Sequence, residues 1–215
     1  MKKKGLFITF EGIDGSGKTT QYNLLRGRLR RRGLDPVCVR EPGSTVVGEE
    51  IRSILLSSDD RPMTLLTEAL LYAAARSQLV REVIVPALEG GKVVLCDRFL
   101  DSSLAYQGYA GGLGVDTVMA VNAAAVRGIR PHLTLVFDLS VSEALRRERG
   151  RKADRIESRG AEYLQRVREY YLELARKEPD RVRVIPAARD IAEIEADVYR
   201  EVSEGLAALG IDGRG

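Results

Sequence analysis

One histidine, His132, and two cysteines, Cys38 and Cys96, are all that 215 residues offer in imidazole and thiol. A single histidine leaves no zinc site at the usual ligand spacing. Both cysteines stand in short apolar runs that read as buried strands, and two lone buried thiols suit a reducing compartment better than a disulfide scaffold. No segment approaches the roughly 20 apolar residues of a membrane span. The apolar stretch behind the N-terminal lysines, Leu6 to Phe10, is far shorter than a signal-peptide core. The expectation is a cytoplasmic protein with no membrane partner. Charge of one sign is also scarce: the formal net charge of +3 is too small to argue for a nucleic-acid partner. Neither an internal repeat nor a domain-separating linker is visible. What remains, 44% apolar and 30% charged residues, is the composition of a globular chain long enough to bury a proper core. One domain over residues 1–215 is expected.

Against that background, Gly12-Ile13-Asp14-Gly15-Ser16-Gly17-Lys18-Thr19 stands out, followed by Thr20. It fits the pattern G-x-x-x-x-G-K-[ST] of a phosphate-binding loop. A β-prone run precedes it and a helical stretch, Thr19 to Arg32, follows, which is the context the motif requires. Glycines allow backbone N–H groups to converge on phosphate oxygens, and the helix start adds its positive dipole end. Lys18 is placed to reach the β- and γ-phosphates of a bound nucleotide, and the Thr19 hydroxyl to hold Mg²⁺.

Further along, strands alternate with helices. Pro36–Val39, Val93–Cys96, Leu133–Asp138 and Val182–Ile185 read as strands two to five. Val46–Ser57, Thr64–Glu89, Val115–Arg127, Ser142–Arg149, Ala161–Lys177 and Ile191–Leu209 read as helices, the second with Pro86 at its end or at a kink. Gly108 to Gly114 reads as a glycine-rich loop. The pattern predicts an α/β fold of the P-loop NTPase-like kind. Its core is a doubly wound five-stranded parallel sheet with helices on both faces.

In such sheets ligands bind at the carboxyl ends of the strands. Arg40-Glu41-Pro42-Gly43 follows strand two, and Asp97-Arg98 follows the all-apolar strand three. Asp97 has the position of a magnesium-holding Walker-B carboxylate, and Arg98 that of a phosphate clamp. Arginine is missing from the phosphate loop itself. Residues 146–159 instead concentrate Arg146, Arg147, Arg149, Arg151, Lys152, Arg155 and Arg159 with little apolar content. They read either as a solvated face or as a basic lid whose guanidinium groups close over the phosphates. A phosphate loop alone serves kinases, ATPases, GTPases and plain nucleotide binders. No Asn-Lys-x-Asp guanine-reading segment is present.

Gly12 to Thr20, Arg40-Glu41-Pro42-Gly43, Tyr72-Ala73-Ala74-Ala75-Arg76, Asp97-Arg98-Phe99, Ala105-Tyr106-Gln107-Gly108 and Asp154-Arg155-Ile156-Glu157, in this order, resemble the thymidylate kinase family over nearly the whole chain. The resemblance implies transfer of a phosphoryl group from ATP to dTMP, with Mg²⁺, in a homodimer. It implies that Asp14 accepts from the sugar 3′-hydroxyl and that Arg98 and Arg40 hold the acceptor phosphate, within a substrate site that includes Glu41 and Gln107. It implies that Tyr72 stacks on thymine, Arg76 donates to O4, Ser103 reads N3 and Tyr106 crowds the 2′ position. Arg149 and Arg151 match the lid arginines of the bacterial type, and Arg189 follows the last strand, where the family packs adenine. Three positions depart from the pattern: Tyr72 replaces the usual phenylalanine, Ser44 a second glycine, and Ser103 a longer Asn or Thr. A kinase for another pyrimidine monophosphate, such as dUMP, dCMP or UMP, is the alternative.

Overall fold

A computed structural model describes residues 5–57, 62–148 and 159–211. Five strands form one sheet in which every neighbouring pair runs parallel: β1 (Leu6–Glu11), β2 (Val37–Arg40), β3 (Val93–Asp97), β4 (Leu133–Asp138) and β5 (Val182–Pro186), in the order β2-β3-β1-β4-β5. β1 sits at the centre because it is apolar on both sides. Leu6, Ile8 and Phe10 enter one core with Leu25 and Leu29 of α1 (Lys18–Arg31) and Val198 and Val202 of α9 (Ile191–Ala208). Phe7, between them, enters a second core with Val94, Leu79, Ile84 and Val118. This period-2 division of one strand between two cores is what covers a parallel sheet on both faces.

Helices α2 (Val46–Leu56) and α3 (Leu65–Leu79) follow β2. The expected long helix does run on to Glu89, but not as one α-helix. A π-helical turn, Val80–Ile84, joins α3 to α4 (Val85–Glu89). Pro86 enters just after it, and the wider i→i+5 turn absorbs the proline's missing N–H without a break. After β3 come α5 (Leu100–Ser103), a second π-helical turn (Leu104–Ala110) and α6 (Val115–Val126). The expected glycine-rich loop is therefore half helix, and only residues 111–114 are loop. α7 (Val141–Arg147) and α8 (Ala161–Lys177) follow β4.

Cys96 is buried, as expected, but Cys38 is only half-buried. β2 is an edge strand, so its outer flank lacks a neighbour.

Candidate active site

The carboxyl ends of β1, β2, β3 and β4 lie side by side, and two cavities open there. The first follows β1. Gly12 at φ 136° and Gly15 at φ 78° take backbone conformations that side chains resist. A Cβ on Gly12 would meet the Phe137 carbonyl at 2.7 Å, and one on Gly15 the Ala144 carbonyl at 2.6 Å. β4 and α7 thus press the loop into shape. Ile13 is buried, and Gly17 caps α1 at its N-terminus. Ser16, Thr19, Thr20 and Arg189 line this cavity with Asp14, Lys18 and Arg147. Arg147, from the last turn of α7, reaches the Gly15 carbonyl at 3.5 Å and the Ala187 carbonyl at 3.2 Å. Arg189 pairs with Asp197 of α9.

Lys18 is buried and folded back on the loop, donating to the carbonyls of Gly12 (3.0 Å) and Ile13 (2.9 Å). Burial, and then Arg98, push its pKa below the usual lysine value, against the pull of Asp14 and Asp97.

The second cavity lies beyond Arg98. Asp14, Glu41, Tyr72, Arg76, Ser103, Tyr106 and Gln107, gathered from four separate stretches of chain, line it together with Arg98. Arg76 is buried at its centre. Its Nε donates to Glu41 Oε2 at 2.8 Å and its terminal nitrogens to Ser103 Oγ at 3.0 Å, the Phe99 carbonyl at 3.2 Å and Asn122. Burial raises the Glu41 pKa to about 7 even though Arg76 opposes the shift. Gln107 donates to Glu68 Oε1 at 2.9 Å, and Arg159 grips the other oxygen of that carboxylate at 2.5 Å. Burial raises the Tyr106 hydroxyl's pKa, and the Arg98 guanidinium lies 5.1 Å from the ring centroid.

Asp14 and Arg98 join the two cavities. Asp14 lines both, and Arg98 donates to it at 2.7 Å. Burial works against the Arg98 charge, and Asp14, with Tyr106 and Tyr171, more than offsets it, so the guanidinium is a firmly fixed cation. Among the described residues, three buried oxygens lack a hydrogen-bond partner here: Ser16 Oγ in the first cavity, Glu41 Oε1 and Tyr106 Oη in the second. Buried polar atoms of folded proteins are nearly always partnered, so these three fit ligands placed in both cavities.

Asp97 closes β3, paired in register with Phe10 at the root of the phosphate loop. Both Asp97 and the Thr19 hydroxyl are hard oxygen donors suited to Mg²⁺, which usually takes only one or two protein ligands beside phosphates and water.

Arg40 is not brought into the second cavity. Its guanidinium forks onto Glu49 of α2 at 2.9 Å on the exposed rim. Arg52, from the next turn of α2, lines the cavity in its place and donates to the Pro42 carbonyl at 2.9 Å. Sequence reading missed Arg52 because an arginine on an amphipathic helix reads as solvated. The i, i+3 spacing from Glu49, which draws Arg40 outward, was the available signal. Ser44, in place of a glycine, keeps a left-handed φ of 67° and holds the turn itself: its N–H donates to Glu49 Oε1 at 2.7 Å, and its hydroxyl accepts from the Arg40 N–H at 2.8 Å. Glu11, which no motif singled out, is fully buried at the end of β1. Arg149 and Arg151 lie outside the described residues.

The thymidylate kinase family model matches residues 10–198. Thymidylate kinase of Symbiobacterium thermophilum is 52% identical over 201 residues, 94% of each chain. That of Pelotomaculum thermopropionicum is 51% identical over 209 residues, 96% of each. A crystal structure of thymidylate kinase from Ehrlichia chaffeensis superposes with a TM-score of 0.75 at 32% identity, covering 93% of this chain and 99% of the other.

Proposed function

The chain belongs to the thymidylate kinase family, and from that premise we propose that it transfers the γ-phosphoryl group of ATP to dTMP, giving dTDP and ADP. The observation that carries this reading is the meeting of two cavities at Asp14 and Arg98. The loop cavity suits a nucleoside triphosphate, and its neighbour ends in the base-reading pair Tyr72 and Arg76. A phosphate oxygen of dTMP attacks the γ-phosphorus in line. That P–O bond forms as the bond from the γ-phosphorus to the β–γ bridging oxygen breaks. No covalent protein intermediate is needed, because positioning and fixed charge account for phosphoryl transfer.

In this reading Lys18 leaves the Gly12 and Ile13 carbonyls for the donor phosphates, which offer a stronger acceptor to a buried ammonium. Ser16 Oγ and the N–H groups of Gly15 to Thr20 take the remaining phosphate oxygens. Arg98 aligns the acceptor phosphate with help from Arg52, and Arg40 serves only if it leaves Glu49. Asp14 accepts from the 3′-hydroxyl, Tyr72 stacks on the base, and Arg76 with Ser103 reads its edge. Tyr106 crowds the 2′ position, and Gln107 closes the floor. Thr19 and Asp97 hold Mg²⁺. Bound there, the ion supplies neutralising charge at the donor phosphates. Arg149 and Arg151 add guanidinium charge, since the phosphate loop has none. One domain, with a basic segment over residues 146–159, and a cytoplasmic homodimer complete the proposal.

A coupled assay of ADP release with dTMP, dUMP, dCMP and UMP tests it. We expect dTMP to be turned over with the highest kcat/KM. Equal or better turnover of one of the other three would move the assignment to that nucleotide, and ADP release without any acceptor would replace it with an ATPase.

A further inference from the structure

Arg98 has a backbone that arginine disfavours, with φ at 68°, in the left-handed region. Strain of this kind persists where the surroundings over-determine it. Both N–H groups of this turn are held. The Arg98 N–H donates to the Phe10 carbonyl at 3.0 Å, and the Phe99 N–H donates to Glu11 Oε1 at 2.8 Å. The second of these is a side-chain bond, and it comes from a carboxylate with no exposed surface at all.

The other oxygen of Glu11 accepts from Ser102 Oγ at 2.5 Å and from the Tyr171 hydroxyl at 2.8 Å. Ser102 Oγ in turn accepts from the Arg98 guanidinium at 3.1 Å. One carboxylate therefore holds the backbone of the turn directly and, through a single hydroxyl, its guanidinium. Glu11 itself lines neither cavity. If its role were only to fill space, an apolar side chain would serve with less desolvation cost. Instead Glu11 meets three donors, one of them the N–H of the residue that follows Arg98.

We infer that Glu11 is a positioning residue for phosphoryl transfer, acting through Arg98. The inference rests on the reading that Arg98 holds the acceptor phosphate.

A double-mutant cycle separates the two. Arg98→Ala, Glu11→Ala and the double variant are assayed at a temperature well below their melting points, with constants expressed per folded enzyme. Arg98→Ala is expected to lower kcat/KM for dTMP on the order of 10³-fold, the scale of a lost phosphate clamp. Glu11→Ala is expected to lower it about 10²-fold, the effect of misplacing a reacting group by roughly 1 Å, with the KM for ATP moving less than about threefold. In the Arg98→Ala background the Glu11→Ala effect should shrink to less than about threefold, because residues acting as one unit are not additive. Glu11→Gln should retain clearly more activity than Glu11→Ala. Its amide oxygen still accepts from Phe99 and its amide nitrogen donates to Ser102.

Near wild-type turnover by Arg98→Ala would remove the reading itself. An impaired Arg98→Ala beside a Glu11→Ala effect that multiplies in full, or that leaves the dTMP constants unchanged, would overturn the inference and leave the reading standing. Where Glu11→Ala does not fold, Ser102→Ala takes its place in the same cycle. A loss of about tenfold that vanishes without Arg98 supports the inference, and a loss that persists refutes it.

Discussion

Lys18 is held by its own loop, which determines how the residue can act. Its ammonium is buried against two carbonyls with a lowered pKa, so it is a cation stored close to its point of use. Removing it opens the space that its side chain fills beside the first cavity, so that solvent can reach those carbonyls. Lys18→Ala should therefore keep the far-ultraviolet circular dichroism of the wild type and lower kcat by roughly 10³-fold or more, as for loss of a preorganised charge. A variant turning over near the wild-type rate would disprove the assignment of the donor cavity. At this scale the sequence carried most of the site. Of the residues named for the acceptor side, only Arg40 fails to line the cavity. Asp14, Glu41 and Arg98 meet there because each follows a strand end and strand ends converge, whereas Tyr72 and Arg76 come from α3 and Tyr106 and Gln107 from the second π-helical turn. Arg40 and Arg52 trade places because Glu49 captures the first, a competition between two surface pairs that no spacing rule ranks. Glu11 was invisible because a glutamate closing a strand reads as solvated until its three donors are seen.

The elements were legible where periodicity is simple. β4 and α8 occupy the ranges that alternation and 3.6-residue spacing predict. The two π-helical turns were not, because i→i+5 bonding leaves no repeat to read. The second of them carries Tyr106 and Gln107 into the second cavity. The turn after β3 bears a prediction of its own. Burial, and then the charge of Asp101, raise the Glu11 pKa from 4.5 to about 7, while the hydrogen bonds from Ser102 and Tyr171 and the charge of Arg98 oppose the shift. Below pH 4.5 Glu11 is protonated in both folded and unfolded chains. Between 4.5 and 7 the native state holds the proton more tightly, so the unfolding free energy falls as pH rises. At about 1.4 kcal/mol per pKa unit, the loss is on the order of 3 kcal/mol once pH passes 7. Glu11→Gln cannot ionise. Its melting temperature should decline less than the wild type's from pH 5 to pH 8, and the two proteins should differ in the variant's favour at the upper end. Parallel profiles would show that Glu11 does not titrate with folding.

At the scale of the whole molecule, the distribution of charge separates two faces. In a chain that is 30% charged, the outward residues of α8 include Glu162, Arg166, Glu169 and Arg176, the usual pattern of a solvated helix. α3 and α6 pack side by side, and their outward surfaces differ. Leu66, Leu70, Ala74 and Ser77 run down α3 at helical spacing, and Met119, Ala120, Ala123 and Ala124 run down α6. Leu66, Leu70 and Met119 are 46%, 51% and 46% exposed. Neither stripe contains a charge, and exposed apolar surface of this kind is what an interface between copies would use. A two-fold pairing would bring each stripe against its own copy, so that a single substitution acts twice. We therefore expect light scattering to give twice the chain mass for the wild type, and the chain mass for Leu66→Asp combined with Leu70→Asp, which sets four carboxylates across the axis. Helical content should not change, because both positions already face outward. A wild-type mass equal to one chain, or a variant that stays at twice that mass, would exclude this surface. The inner side of the same α3 carries Tyr72 and Arg76 into the second cavity. Monomerisation should accordingly raise the KM for dTMP more than that for ATP, whose phosphate loop joins β1 to α1 and takes no residue from α3. A variant monomer with both constants unchanged would show that α3 holds its cavity face without its partner.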